Sequence, residues 1–310
     1  MSSLRRDSAA DRPQAAEPAL GLQRGAEWVE GDARWPADGA GKDGDERIDG
    51  EHVPHASKRR ANREAQEMPA NDSNGAGVLL LDRRIPSMLA RMDWLAEWSA
   101  RRGVQRLPEQ PLGDAPGGLL DEELPLYQAL TSDARRREWW AGRVAAHAAL
   151  RELGLAPSPV LRGAEGAPEV RGAQVTLSHG GGQALAVAWK GQEHGVGVDL
   201  VSAADIERSR RVLTRWAREG ERRWLDAPLG PGLLWGAREA IAKASRTGMF
   251  AFALTEVHVT EIRVDRIDTS VEGAELRWEP AEGGGVRVFA RMDAELCAWA
   301  RARTAERSAR

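Results

Sequence analysis

The sequence predicts an α+β fold in two halves, each with helices packed on a small, mainly antiparallel sheet. Three observations predict it. Short apolar runs at 174–177, 184–189 and 196–201 have strand length, and the first two flank a glycine-rich turn. Longer stretches at about 122–153, 204–218 and 234–245 read as helices, the first broken near Thr131-Ser132-Asp133. After residue 196 the theme repeats, with strands expected near 253–263, 274–279 and 285–292. About 230 residues suffice for this arrangement.

The elements are expected in the following order. Residues 1–76 are dense in Asp, Glu, Arg, Gly, Ala and Pro, with no periodic apolar face. Such a segment cannot bury enough surface to offset chain entropy, so a disordered arm is expected, ending near Asn74-Gly75-Ala76-Gly77. Its basic cluster Lys58-Arg59-Arg60-Ala61-Asn62-Arg63 reads as a solvated tail, with contact to a partner as the alternative. Val78-Leu79-Leu80-Leu81 reads as a strand, and Ile85, Leu89, Met92, Leu95 and Trp98 form a helix-like stripe across 83–102. A Pro/Gly-rich connection covers 103–120. The first half is set at 77–192 and the second at 193–304.

Composition narrows the function. The chain has 44 Lys and Arg against 47 Asp and Glu, a formal charge of −3, so nucleic acid is not an expected partner. A single cysteine, Cys297, excludes an intramolecular disulfide and a cysteine-based zinc site. No apolar run approaches the roughly 20 residues that span a membrane, and the N-terminus has no apolar signal core. A cytoplasmic enzyme with no membrane partner is expected.

The chemistry concentrates in two motifs. Gly195-Val196-Gly197-Val198-Asp199-Leu200-Val201 reads as a buried strand that delivers one carboxylate. In Trp235-Gly236-Ala237-Arg238-Glu239-Ala240-Ile241-Ala242-Lys243, the residues Trp235, Glu239 and Lys243 fall at i, i+4, i+8 and share a helix face. Two carboxylates on separate elements suit Mg²⁺ holding a pyrophosphate, since that ion takes one or two protein carboxylates and fills the rest with phosphate and water. Each motif has a local alternative. Asp199 fits a helix cap, and Glu239–Lys243 fits a surface pair worth about 0.2–0.5 kcal/mol. His179-Gly180-Gly181-Gly182 also matches the oxyanion-hole motif of lipase-type esterases, but Ser202, Ser209, Ser245, Ser270 and Ser308 all lack the G-x-S-x-G frame. No G-x-x-x-x-G-K-[ST] phosphate loop is present.

The two motifs resemble the signatures of the 4'-phosphopantetheinyl transferases, (I/V)-G-x-D-(I/L/V) and (W/F)-x-x-K-E-(A/S)-x-x-K. Three further landmarks stand in the family's order. The stretch 131–150 resembles its early helix with a G-R-x-A-A run, Gly166-Ala167-Pro168 takes the place of Gly-Lys-Pro, and 175–182 resembles a strand ending in Ser-His-Ser-Gly. The resemblance implies the family's pseudo-twofold duplication, with the active site between halves, in the larger, monomeric, surfactin-synthetase-activating type. It implies transfer of 4'-phosphopantetheine from coenzyme A to a serine of an apo acyl or peptidyl carrier protein, with release of adenosine 3',5'-bisphosphate. Asp199 and Glu239 would hold Mg²⁺, and Glu239, or a water it orients, would take the serine proton. Lys243 and Arg238 would stabilise phosphate charge. His179 and Arg143, with one of Arg135–Arg137 (taken as Arg136), would contact the coenzyme A phosphates; for Arg143 a surface helix position is the alternative. Three positions depart from the pattern: Val201 replaces a further acid, Arg238 a lysine and Ala167 a lysine. They also fit a non-catalytic relative that binds coenzyme A or a carrier.

Overall fold

A computed structural model of the chain describes residues 94–163 and 166–309. The expected arm 1–76, the strand at 78–81 and the beginning of the helix at 83 lie outside the described residues. The first half contains α1 (Trp94–Glu97), β1 (Ala100–Arg106), α2 (Leu124–Gln128), α3 (Asp133–Glu152), β2 (Leu161–Arg162), β3 (Pro168–Val170), β4 (Ala173–Gly180) and β5 (Gln183–Trp189). The second contains β6 (His194–Val201), α4 (Ala203–Trp216), α5 (Arg222–Leu225), α6 (Gly230–Ser245), α7 (Leu254–Glu256), β7 (Val259–Ile262), β8 (Arg266–Thr269), β9 (Glu275–Pro280), β10 (Val286–Asp293) and α8 (Ala294–Ser308). The strands form two antiparallel five-stranded sheets, ordered β1-β5-β4-β3-β2 and β6-β10-β9-β8-β7. The fold is α+β, consistent with the duplicated transferase architecture.

Side-chain size sorts the layers. Every residue of β5 is buried. Its alanines, Ala184, Ala186 and Ala188, pack in a core with Ala141, Ala145 and Ala149 of α3. Its larger residues, Leu185, Val187 and Trp189, instead join Val196, Val198 and Leu200 of β6. The sheets therefore meet face to face, with α3 outside one and α6 outside the other. Trp94, Leu95 and Trp98 close the shared core beside Phe289.

Glycine decides how closely each helix sits. A Cβ at Gly103 would lie 2.0 Å from Ala145 O, and one at Gly197 would lie 1.8 Å from Ala240 O. The same contact thus occurs in both halves, strand backbone against helix backbone. Gly197→Ala is expected to lift α6 off β6, separating Glu239 and Lys243 from Asp199. A melting temperature that falls by several degrees would show it; an unchanged value would refute it.

Each half also carries a buried glutamate clamp. Glu123 accepts hydrogen bonds from Leu120 N (3.0 Å), Val160 N (2.8 Å) and contacts His147 Nε2 (3.0 Å). Glu221 likewise accepts from Arg218 N (2.8 Å) and Val259 N (2.7 Å), with Arg238 as its cation. Burial alone would raise the Glu123 carboxyl, but His147 and the two amides outweigh it and hold it below the ordinary 4.5. A depressed carboxyl stabilises the fold above its unfolded value, and that stability is lost as pH falls through the folded value. Glu123→Gln is therefore expected to flatten the decline in melting temperature below about pH 4.5. An unchanged slope would show that the clamp does not titrate.

Two expected elements are corrected. The helix expected across 83–102 ends at Glu97, where Ser99 takes a left-handed φ of 52°. Beyond it β1 pairs with β5 along its whole length, from Ala100↔Trp189 to Arg106↔Gln183, so sheet pairing overrides the helical stripe. The strand expected across 253–263 is shorter, because 249–256 is helical and only Val259–Ile262 is extended.

Candidate active site

The close seating of α6 on β6 builds the site. Gly195, Gly197, Asp199 and Val201 alternate onto the face of β6 that meets α6. Asp199 therefore emerges where Glu239 and Lys243 stack along the helix. Lys243 Nζ donates to Asp199 Oδ1 (3.0 Å) and to Val198 O (3.0 Å), and lies 3.4 Å from Glu239 Oε1. Trp235 Nε1 donates to Glu239 Oε2 (2.9 Å). Ser178 Oγ, from β4 of the other half, donates to Asp199 Oδ1 (2.9 Å).

Neither local alternative describes these residues. Ser202, not Asp199, caps the helix after β6, accepting from Asp205 N. Glu239 and Lys243 have side chains only 18% and 14% exposed, so they are no solvated surface pair. The glycines after His179 form a two-residue hairpin turn. Gly181 and Gly182 have φ of 56° and 77° between the paired Gly180 and Gln183, which accounts for that run without an oxyanion hole.

Burial and the charge of Asp199 push the Glu239 carboxyl up, against the opposing pull of Lys243 and Trp235. Burial would lower the Lys243 ammonium, but Asp199 and Glu239 overcome it and hold it above its ordinary value. Two carboxylates thus share one ammonium. The donor set is all oxygen, and no protein donor among the described residues reaches Asp199 Oδ2. This chemistry fits a hard divalent cation, whose charge would offset the pair. Among the described residues no group of three or more His, Cys, Asp or Glu offers a fuller ligand set. Water and phosphate oxygens would complete it.

Val201 carries no ligand. It is 2% exposed and belongs to the core of the second half, although its edge borders the cavity. Val201→Glu is expected to melt early and to regain nothing from Mg²⁺, because forcing a carboxylate into apolar packing costs more than burying an unpaired amide or hydroxyl and is several kcal/mol even after relaxation. Melting curves with and without the ion test this; a metal-dependent rise above wild type would instead make the position a ligand site.

Asp199, Glu239 and Lys243 line a cavity of about 1020 Å³ between the halves. His179, Arg143, Trp139 and the Gly166-Ala167-Pro168 turn line it as well. The Arg143 guanidinium stacks on the Trp139 ring, 4.1 Å from its centroid, and donates to Val160 O (3.2 Å). His179 Nδ1 lies 3.9 Å from Glu138 Oε1, and burial pushes its imidazole below the ordinary 6.5.

Two expected arginines are placed elsewhere. Arg136 turns back to donate to Leu130 O (2.9 Å) and covers the Tyr127 ring, outside the cavity; its neighbour Arg135 lines it. Arg238 is fully buried and pairs with both oxygens of Glu221 at 2.6 and 2.7 Å. It lies one residue off the face that carries Glu239 and stays out of the cavity, so the phosphate role expected of it is corrected to a structural one.

Sequence reasoning also missed residues that the fold brings in. Arg246, in a left-handed conformation just past α6 and bonded to Gln174, lines the cavity, as does Arg301 of α8. Arg246 sits three residues after Lys243, but the left-handed turn that ends α6 takes it off the helical spacing and sets its direction. For Arg301 no sequence signal exists.

Two sheets with a carboxylate pair and an ammonium in the cleft between them define a two-half α+β enzyme suited to phosphate chemistry. Residues 122–189 match the model of the 4'-phosphopantetheinyl transferase N-terminal domain, and residues 195–288 match that of the 4'-phosphopantetheinyl transferase superfamily. One match falls on each half, and together they span more than half of the chain. The chain belongs to the 4'-phosphopantetheinyl transferase superfamily, and the reaction class is phosphopantetheinyl transfer. Comparison with curated proteins gives no match. No helix among the described residues is long and apolar enough to cross a membrane.

Proposed function

We propose that this chain moves 4'-phosphopantetheine from coenzyme A to a serine hydroxyl of an apo acyl or peptidyl carrier protein, in a Mg²⁺-dependent reaction that releases adenosine 3',5'-bisphosphate. It acts as a cytoplasmic monomer of the surfactin-synthetase-activating type, with its halves at 77–192 and 193–304. The observation that carries this reading is the convergence of Asp199, Glu239 and Lys243 in one cleft beside Arg135, Arg143 and Arg246.

Asp199 and Glu239 would hold Mg²⁺, which supplies charge neutralisation on the pyrophosphate. Lys243, kept protonated by the two carboxylates, holds a phosphate oxygen as negative charge grows on the leaving side. Burial holds the His179 imidazole below its ordinary value, and the ring serves as a hydrogen-bond partner of the phosphates. Arg135 and Arg143 carry the cationic contacts to coenzyme A. Glu239 orients a water that relays the serine proton to bulk solvent as the serine oxygen bonds to the phosphorus of the phosphopantetheine arm and the pyrophosphate P–O bond breaks, the electron pair leaving with adenosine 3',5'-bisphosphate.

Incubation with coenzyme A, Mg²⁺ and several apo carriers, read by intact mass, tests the reading. A gain of one phosphopantetheine arm on a carrier is the expected result. Coenzyme A binding with no gain on any carrier would make the chain a non-catalytic relative, the reading that Val201 and Ala167 favour.

A further inference from the structure

Ser178 joins the two halves at the carboxylate pair. It stands on β4, in the first half, and its hydroxyl is buried against β6 of the second. Leu200 N donates to Ser178 Oγ (3.0 Å), and Ser178 Oγ is 2.9 Å from Asp199 Oδ1. A backbone amide can only donate, so it occupies a lone pair of the hydroxyl and leaves the single hydroxyl proton for Asp199. The direction of the bond is thereby fixed. Gly180, two residues further along β4, permits the approach, since a Cβ there would lie 2.8 Å from Leu200 O.

The consequence concerns which oxygen Asp199 presents. Among the described residues its two protein side-chain donors, Ser178 and Lys243, both fall on Oδ1. Glu239 is treated alike, with Trp235 on Oε2 and Lys243 beside Oε1. Without Ser178, the donors among the described residues would leave Asp199 held through Lys243 alone, whose ammonium is shared with Glu239 and the Val198 carbonyl. The Asp199 carboxyl plane would be free to rotate.

We infer that Ser178 is a positioning residue for the metal: its hydroxyl fixes the rotamer of Asp199 so that Oδ2 faces the cation, which makes ion affinity depend on the junction between the halves. The inference rests on Asp199 being a metal ligand. Groups that orient metal ligands in this way typically contribute 10–100-fold to affinity.

The test is Mn²⁺ titration of the full chain, followed by water proton relaxation, with no coenzyme A or carrier present. Ser178→Ala is expected to weaken Mn²⁺ binding about 10–100-fold. Ser178→Thr, which keeps the hydroxyl, should stay close to wild type. If the alanine variant does not fold, Ser178→Cys carries the test, because a thiol is a poor donor and should also lose affinity. Wild-type affinity in a folded Ala or Cys variant would overturn the proposal, as would an equal loss in Thr and Ala. Asp199→Asn separates the two levels. If it binds Mn²⁺ as wild type does, the ligand assignment itself fails; if it loses binding while Ser178→Ala does not, only the positioning role fails.

Discussion

Asp199→Ala and Glu239→Ala are each expected to lower phosphopantetheinyl transfer by on the order of 10²–10³-fold, the scale of losing one preorganised group that stabilises transition-state charge. The fold should survive both. Lys243 pairs with both carboxylates, so removing either leaves its ammonium with the other and creates no unpaired buried cation. Glu239→Ala has a further reason to be tolerated, because burial and the Asp199 charge already oppose ionisation of Glu239. Each variant should melt within a few degrees of wild type, and EDTA should reproduce the kinetic loss on the unmodified chain. Turnover close to wild type in either variant would remove the two-carboxylate site.

The sequence made part of this site legible. Asp199 is readable because alternating Gly195, Val196, Gly197 and Val198 give strand period and leave the helix room to approach. Glu239 and Lys243 are readable because helical spacing alone puts them on one face. What remained hidden depends on tertiary partners. Arg135 and Arg136 are adjacent on α3, about 100° apart, and only the packing of Tyr127 and the Leu130 carbonyl decides which faces the cavity. Ser178 looks like part of a Ser-His landmark, and its tie to Asp199 appears only when β4 and β6 are brought together. In the fold, β5 and β6 showed as apolar runs because both faces are buried. The C-terminal α8 stayed hidden because it buries little besides Cys297 and Ala300, too narrow a stripe to give a period.

Arg238→Ala is expected to act on stability rather than on chemistry. The guanidinium is 0% exposed; Nη2 meets both Glu221 oxygens, and Nη1 donates to Leu234 O at 3.0 Å. Glu221 in turn holds the amides of Arg218 and Val259, so one ion pair ties α6 to the start of β7. Removing the arginine leaves a buried carboxylate without its cation, which costs about 3–5 kcal/mol. At about 2–4 °C per kcal/mol for a domain of this size, the melting temperature should fall by roughly 6–20 °C. Arg238→Lys should fall between, because a compact ammonium cannot span both carboxylate oxygens and the Leu234 carbonyl. Below the melting transition, kcat per folded molecule should stay near wild type in both, since the guanidinium does not line the cavity. A role on phosphate would give the opposite pattern: normal melting with a kcat that drops in Ala and recovers in Lys.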